Sequence, residues 1–109
     1  MTGKELEKRY IENGLKDYRL RNSNDLKAVH GVDIMEIKGY NKLAVNAEFF
    51  KTMLVRFYNA HGLERRSEIK PLAVKYISRT KKTKPYLRFD VKIGDCNECF
   101  HFNGNGEWY

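Results

Sequence analysis

The sequence predicts an α+β fold, with an antiparallel sheet of about four to five strands and two helices packed on one face. An aromatic-rich amphipathic pattern between Asn46 and Gly62 predicts a long helix. Strict alternation of apolar and charged residues over 86–93 predicts a strand with one buried face. The length of 109 residues fits one domain, so we expect residues 1–109 to form a single unit.

The N-terminal region begins with a helix signal. Thr2 and Glu5 match a capping box, in which each side chain accepts a hydrogen bond from a backbone N–H at the helix start. The pair Asn13-Gly14 interrupts the apolar spacing and predicts the end of this helix. Residues 22–25, Asn-Ser-Asn-Asp, are typical of a turn.

Two short strands are predicted before the long helix. The run from Val32 to Ile37 is apolar and contains β-branched residues, which favours a strand. Residues 39–41, Gly-Tyr-Asn, then predict a turn into a second short strand over 43–45.

The long helix is the clearest element of the sequence. Asn46 is a good N-cap, Glu48 suits the first turn, and Gly62 suits the position just after the C-terminus. Its apolar residues recur at helical spacing and are expected to be core: Phe49, Phe50, Met53, Leu54, Phe57 and Tyr58.

The C-terminal half has the two-residue period of strands. Apolar residues alternate over 72–76, and a basic connection at 80–84 follows. The strand over 86–93 leads into a turn at 94–97 and a returning strand that contains Phe100 and Phe102.

The positive charge is concentrated in one segment. The net charge is +7, and residues 63–92 hold ten Lys and Arg against three Asp and Glu. Such segregation predicts an acidic partner, either a nucleic acid or an acidic protein surface. Tyr86 lies among these cations and could stack on a base. The predicted binding patch is Lys75, Arg79, Lys81, Lys82, Lys84, Tyr86, Arg88 and Lys92.

A structural zinc site is a second hypothesis. The motif Cys96-x-x-Cys99-x-His101 at a hairpin turn has the ligand types and part of the spacing of a zinc site. His61 or His30 would supply the fourth ligand. The alternative interpretation is two free thiols and an exposed imidazole on the solvent face.

A magnesium-dependent nuclease is a third, weaker hypothesis. Glu36-x-Lys38 on a strand, with Asp33 or Asp25 upstream, resembles the metal-binding core of PD-(D/E)xK nucleases. The chain is short for the mixed sheet of that family, and solvated charges on a strand explain the motif equally well. We therefore expect a protein that is not an enzyme.

The remaining features predict a cytoplasmic protein. No apolar run approaches the roughly 18 residues of a membrane span, and the N-terminus lacks the apolar stretch of a secretory signal. Two cysteines three residues apart form no disulfide framework, which favours a reducing compartment.

Residues 13–18 and 30–39, NGLKDY and HGVDIMEIKG, resemble segments of small accessory proteins of phages and mobile elements. In size and make-up the chain is also similar to anti-CRISPR proteins. The resemblance implies a non-enzymatic inhibitor that binds a host protein or ribonucleoprotein, such as an RNA-guided nuclease, and blocks nucleic-acid loading. Many such inhibitors are acidic DNA mimics, whereas this chain is basic. The alternative is a small basic nucleic-acid-binding or regulatory protein.

Overall fold

The computed structural model describes residues 2–109, and within them the fold is α+β, as predicted. The helices and strands follow in the order α1 Gly3–Glu12, α2 Ser23–His30, α3 Ala47–Asn59, α4 Leu63–Arg66, β1 Ile69–Ile77, β2 Tyr86–Ile93 and β3 Cys96–Asn103. Buried apolar side chains of the helices and of one sheet face form a single cluster. Within residues 2–109, no helix has the length and apolar character needed to cross a membrane.

Helix α1 begins and ends where the sequence predicts. The Thr2 hydroxyl accepts a hydrogen bond from the backbone N–H of Glu5 at 3.2 Å. The helix is followed by Asn13 as its C-cap and by Gly14 at φ +76°, a left-handed conformation that glycine adopts without strain. Leu6 and Tyr10 are fully buried and fix α1 to the core.

The turn predicted over residues 22–25 is wrong, because this segment starts helix α2. The Asn22 side chain accepts a hydrogen bond from the N–H of Asp25 at 3.1 Å and so acts as the N-cap. Gly31, at φ +69°, ends the helix. Asn and Asp favour both turns and N-caps, since their short side chains accept from nearby backbone N–H groups in either case.

The strands predicted over 32–37 and 43–45 are also wrong. Three short 3-10 turns occupy this segment, at Ile34–Glu36, Tyr40–Lys42 and Ala44–Asn46. The Asp33 carboxylate accepts from the N–H of Met35 at 3.0 Å and begins the first of them. A short apolar run is compatible with several local structures, and here the local polar cap decides.

The 34–46 segment lies beside the edge of the sheet. The N–H of Val74 donates to the carbonyl oxygen of Lys38 at 2.9 Å. Gly39 has φ +90°, and a Cβ there would collide with the carbonyl oxygen of Val74. Only glycine meets both requirements, so Gly39 allows the close approach of this segment to β1.

Helix α3 buries the predicted aromatic face. Phe50, Met53, Leu54, Phe57 and Tyr58 are fully buried. Asn46 occupies the N-cap position, but its side chain makes no capping hydrogen bond.

The predicted end of α3 at Gly62 is wrong. The helix ends at Asn59, and Gly62 has an extended backbone and precedes the short helix α4. The reason is local: the His61 Nδ1 lies 2.7 Å from the carbonyl oxygen of Phe57, and the carbonyl of Gly62 accepts from the N–H of Arg66 as α4 begins.

The sheet has three strands within residues 2–109, rather than four or five. They are antiparallel in the order β1-β2-β3, joined as two consecutive hairpins. Helix α3 covers one face, where the Phe89 ring lies 5.8 Å from that of Phe50 and 5.5 Å from that of Phe57. Alternation along β2 therefore places Leu87, Phe89, Val91 and Ile93 inside and the residues between them on the opposite face.

Candidate functional site

The sheet face opposite α3, hereafter the outer face, holds half of the predicted binding patch. The strand register defines it by four cross-strand rows. From one end of the sheet to the other, the rows are Lys70–Lys92–Asn97, Ala73–Asp90–Cys99, Lys75–Arg88–His101 and Ile77–Tyr86–Asn103. Lys70, Lys75, Arg88 and Cys99 are exposed.

Two of these rows set cations directly opposite each other. Lys75 pairs with Arg88, and Lys70 pairs with Lys92, in adjacent antiparallel strands. Directly opposed residues on one face have Cβ atoms roughly 5 Å apart, and like charges at that distance repel. The pairing of β1 and β2 therefore forms in spite of these side chains.

One acidic side chain interrupts the cations. Arg88 Nε donates to the Asp90 carboxylate at 3.2 Å, and this hydrogen bond raises the pKa of Arg88. Cys99 lies opposite Asp90, and limited desolvation by the neighbouring side chains raises the pKa of this exposed thiol. Within residues 2–109, Arg88 is the one cation of the predicted patch with a carboxylate partner within 4.0 Å.

The connection over residues 78–85 carries four further cations of the patch. Arg79, Lys81, Lys82 and Lys84 are all exposed. The connection is held as a compact turn, since the Thr80 N–H donates to the Thr83 carbonyl at 3.0 Å. The Thr80 hydroxyl also accepts from the N–H groups of Lys82 and Thr83. The two-residue period predicts Arg79 on the same strand face as Lys75, but Arg79 lies beyond the end of β1.

Aromatic rings gather on the outer face beside this connection. The rings of Tyr86 and His101 are stacked, with centroids 4.2 Å apart and planes at 21°. The ring centroid of Tyr109 lies 5.2 Å from that of His101. The two residues also exchange backbone hydrogen bonds at 3.0 and 3.2 Å. We call Tyr86, His101 and Tyr109 the outer aromatic group.

The structure separates the predicted zinc ligands. Cys99 and His101 share the outer face, whereas Cys96 is paired with Ile93 on the register of the opposite face. His61 lies on the helix side, with its ring 4.7 Å from that of Phe57. Among residues 2–109, no group of three or more His, Cys, Asp or Glu side chains is arranged to hold a metal ion. Zinc binding stays a prediction.

The residues of the nuclease hypothesis are not on a strand. Asp33 caps a 3-10 turn and lies 3.6 Å from the Lys27 ammonium. Glu36 is exposed within that turn, and Lys38 is exposed beside the edge of β1. Asp25 accepts from the backbone N–H of Arg21 at 2.9 Å. The strand that the motif requires is therefore replaced by a turn.

A buried arginine forms a polar cluster that the sequence did not reveal. Arg66 is only 6% exposed, and its N–H groups donate to four neutral oxygens. These are the carbonyls of His61 at 2.8 Å, Tyr18 at 2.6 Å and Asn59 at 3.5 Å, and the Tyr10 hydroxyl at 2.9 Å. The guanidinium thereby connects α1, the segment after it, and the end of α3.

His30 completes this cluster as a neutral ring. Arginine can only donate, so the Tyr10 oxygen accepts from Arg66 and its own hydrogen can be donated to His30 Nε2 at 2.8 Å. Burial, with the charges of Arg66 and Arg9, lowers the pKa of His30 to about 4. His30 Nε2 is therefore engaged as a hydrogen-bond acceptor for the Tyr10 hydroxyl.

Three residues of the candidate surface were absent from the predicted patch or had another role. Lys70 lies outside the predicted patch, because a strict two-residue alternation from Lys75 places it on the opposite face; the register shift between Pro71 and Ala73 brings it to the outer face. His101 was predicted only as a zinc ligand. Tyr109 is six residues beyond β3, and no periodic signal in the sequence indicates that it returns to His101.

Comparisons with protein-family models, curated proteins and solved structures find no match to this chain.

Proposed function

We propose that the protein is a non-enzymatic nucleic-acid-binding protein and that the outer face is its binding surface. The observation that carries the proposal is the direct opposition of Lys75 to Arg88 and of Lys70 to Lys92. Fold stability gives no reason for such pairs, because each lowers the stability of the hairpin. Phosphates bound across the strands would attract both cations of each pair and offset the repulsion between them.

The chemistry of the surface fits a nucleic acid. Cations on the strands and on the 78–85 connection are available for phosphate oxygens, and most have no carboxylate partner among residues 2–109. The outer aromatic group lies next to them and offers ring faces to bases. Sequence-specific proteins read base edges with helices or ribbons placed in a groove. The features of the outer face instead support contacts to the phosphate backbone and stacking on bases.

Binding is tested with fluorescein-labelled single-stranded DNA and RNA of about 16 nucleotides, followed by fluorescence anisotropy over a series of salt concentrations. The wild-type affinity should fall log-linearly with salt, because bound phosphates release counterions. In the double variant Lys75→Thr/Lys92→Thr, affinity at low salt should fall at least about tenfold. The slope of log affinity against log salt concentration should flatten by about 1.4, since each lost phosphate contact to a single strand contributes about 0.7.

A matched control separates the outer face from net charge. Lys4→Thr/Lys16→Thr removes the same charge from two exposed residues on α1 and in the turn after it. This variant should keep the wild-type affinity within about twofold and keep the slope. Equal losses in the two double variants would show that only net charge matters, and no binding to either nucleic acid at low salt would end the proposal.

The anti-CRISPR-like inhibitor stays a prediction that the resemblance alone supports. A basic face that binds nucleic acid would suit an inhibitor that occupies the guide or target of a ribonucleoprotein. A pull-down from host lysate with and without nuclease treatment separates the possibilities. Loss of all partners on nuclease treatment supports binding through nucleic acid, whereas retention of a stoichiometric protein supports a direct protein target.

A further inference from the structure

A cleft of about 600 Å³ opens at the end of the outer face where the 78–85 connection meets the C-terminal residues. Its walls come from three parts of the chain. The connection and the start of β2 supply 82–86, the end of β3 and the following turn supply 101 and 103–105, and Tyr109 completes the rim. Its volume lies within the roughly 300–1,000 Å³ typical of sites for small organic ligands.

One wall of the cleft is aromatic. Tyr86, His101 and Tyr109 line it, and two of these rings stack nearly parallel at 4.2 Å. They are not part of the hydrophobic core, which already fills the opposite face with Phe89, Phe102 and the partly buried Phe100. Tyr109 is 67% exposed, so its ring offers a face to a ligand.

The cleft lining also carries positive charge. Lys82 and Lys84 belong to it, and the Thr80–Thr83 hydrogen bonds hold their backbone in a defined turn. No Asp or Glu side chain is among the residues that line the cleft. A cleft lined by both aromatic rings and two lysines matches a planar ring joined to a phosphate.

We propose that this cleft binds one unpaired nucleotide, with its base against the outer aromatic group and its phosphate at Lys82 and Lys84. The inference rests on the proposed function and adds strand selectivity to it. A base in a duplex has both faces covered by its stacked neighbours, whereas an unpaired base can turn into a cleft. The protein should therefore prefer single strands to duplexes.

The first test compares single-stranded and duplex DNA of the same sequence. Tyr109→Leu and Tyr86→Leu should each weaken single-strand binding roughly tenfold, as expected for the loss of one stacked base. Duplex affinity and the salt slope should not change, because no phosphate contact is lost. Tyr109 is mostly exposed, so its replacement should leave the fold intact even if Tyr86→Leu does not.

Tyr76→Leu is the matched control, since Tyr76 is a partly exposed tyrosine of β1 outside this cleft. It should leave the single-strand preference unchanged. A Tyr109→Leu variant with wild-type preference, or one that weakens both forms of DNA equally, would overturn the inference. In either case, salt-dependent binding by the wild-type protein would still support the proposed function. Absence of any binding by the wild-type protein would instead overturn the proposed function itself.

A second test uses amide chemical shifts and a minimal probe. Adenosine 5′-monophosphate should shift the amides of residues 82–86 and 101–105. Adenosine and inorganic phosphate, titrated separately, should each shift a part of that set, near the rings and near the lysines respectively. Shifts by phosphate alone, with none from adenosine, would contradict the stacking of a base.

Discussion

Arg66 lies on the short helix α4 and Lys75 lies on strand β1. The two cations differ in burial and in the charge of their neighbours. Arg66 is buried, and each of its three nitrogens donates to an oxygen of the protein. Lys75 is exposed and faces another cation, Arg88, across the hairpin. The first environment attracts a positive charge and the second repels it.

The difference separates charge that holds the fold from charge that is available for a partner. The acceptors around Arg66 include the carbonyl of Asn59, the last residue of α3, where the helix dipole is negative, so the guanidinium is stabilised without a carboxylate. Among residues 2–109, no comparable set of acceptors surrounds Lys75 or Lys70 on the outer face. Binding of an anion is the simplest role that accounts for keeping those side chains there.

The largest effect is expected from removing the buried cation. Arg66→Met should lower the free energy of unfolding by about 3–5 kcal/mol, because the Tyr18 and His61 carbonyls and the Tyr10 hydroxyl lose their donors inside the protein. Urea denaturation followed by circular dichroism measures the change.

Arg65→Met is the control for Arg66→Met, since Arg65 is the exposed neighbour on α4. It should change the free energy by less than about 0.5 kcal/mol. Similar values for the two variants would mean that the cluster around Arg66 contributes little to stability, and the contrast with Lys75 would disappear.

Acidification should destabilise the same cluster. The pKa of His30 is about 4 in the folded protein and 6.5 when unfolded, so the unfolded state takes up the proton first as pH falls. The contribution of His30 is therefore complete above pH 6.5 and is lost between about 6.5 and 4, by roughly 3 kcal/mol in total. Unfolding free energies measured at several pH values across that window give the slope.

His30→Gln provides the reference for this pH dependence, because glutamine does not titrate and the carboxyl groups are the same in both proteins. The variant should show a shallower loss of stability between pH 6.5 and 4. Parallel profiles for the two proteins would assign the pH dependence to other groups.

The smallest effect on stability is expected for a variant of the outer face, and it is an increase rather than a decrease. Lys75→Thr removes one of two opposed cations and places a residue of high strand propensity in β1, so the melting temperature should rise by about 2 °C. Differential scanning calorimetry at low salt measures the shift, which added salt should reduce. A lower melting temperature would show that Lys75 stabilises the hairpin, and would contradict a role for this side chain in binding alone.

The elements predicted best are those whose signals are long or paired with a polar cap. The alternation over 86–93 and the aromatic spacing of α3 each extend over several residues and agree with their surroundings. The Thr2 cap fixed the start of α1. The patch cations Arg88 and Lys92 share the outer face, as the two-residue period predicts.

The elements predicted worst are short segments with competing signals. The run from Val32 to Ile37 has the composition of a strand, but Asp33 and Gly39 impose turns at its start and just beyond its end. Asn22 was assigned to a turn although it caps a helix. Over so few residues one side-chain hydrogen bond outweighs the propensity of the others.

The amino-acid sequence by itself determined the α+β class, the two-residue period of the basic hairpin and the concentration of positive charge in residues 63–92. Only the tertiary structure decided which cations face one another, that Arg66 is enclosed by carbonyl oxygens, and that Tyr109 returns to His101. The physical reason is range. Periodicity and capping act over a few neighbouring residues, whereas strand register and the burial of a charge depend on residues brought together from distant parts of the chain.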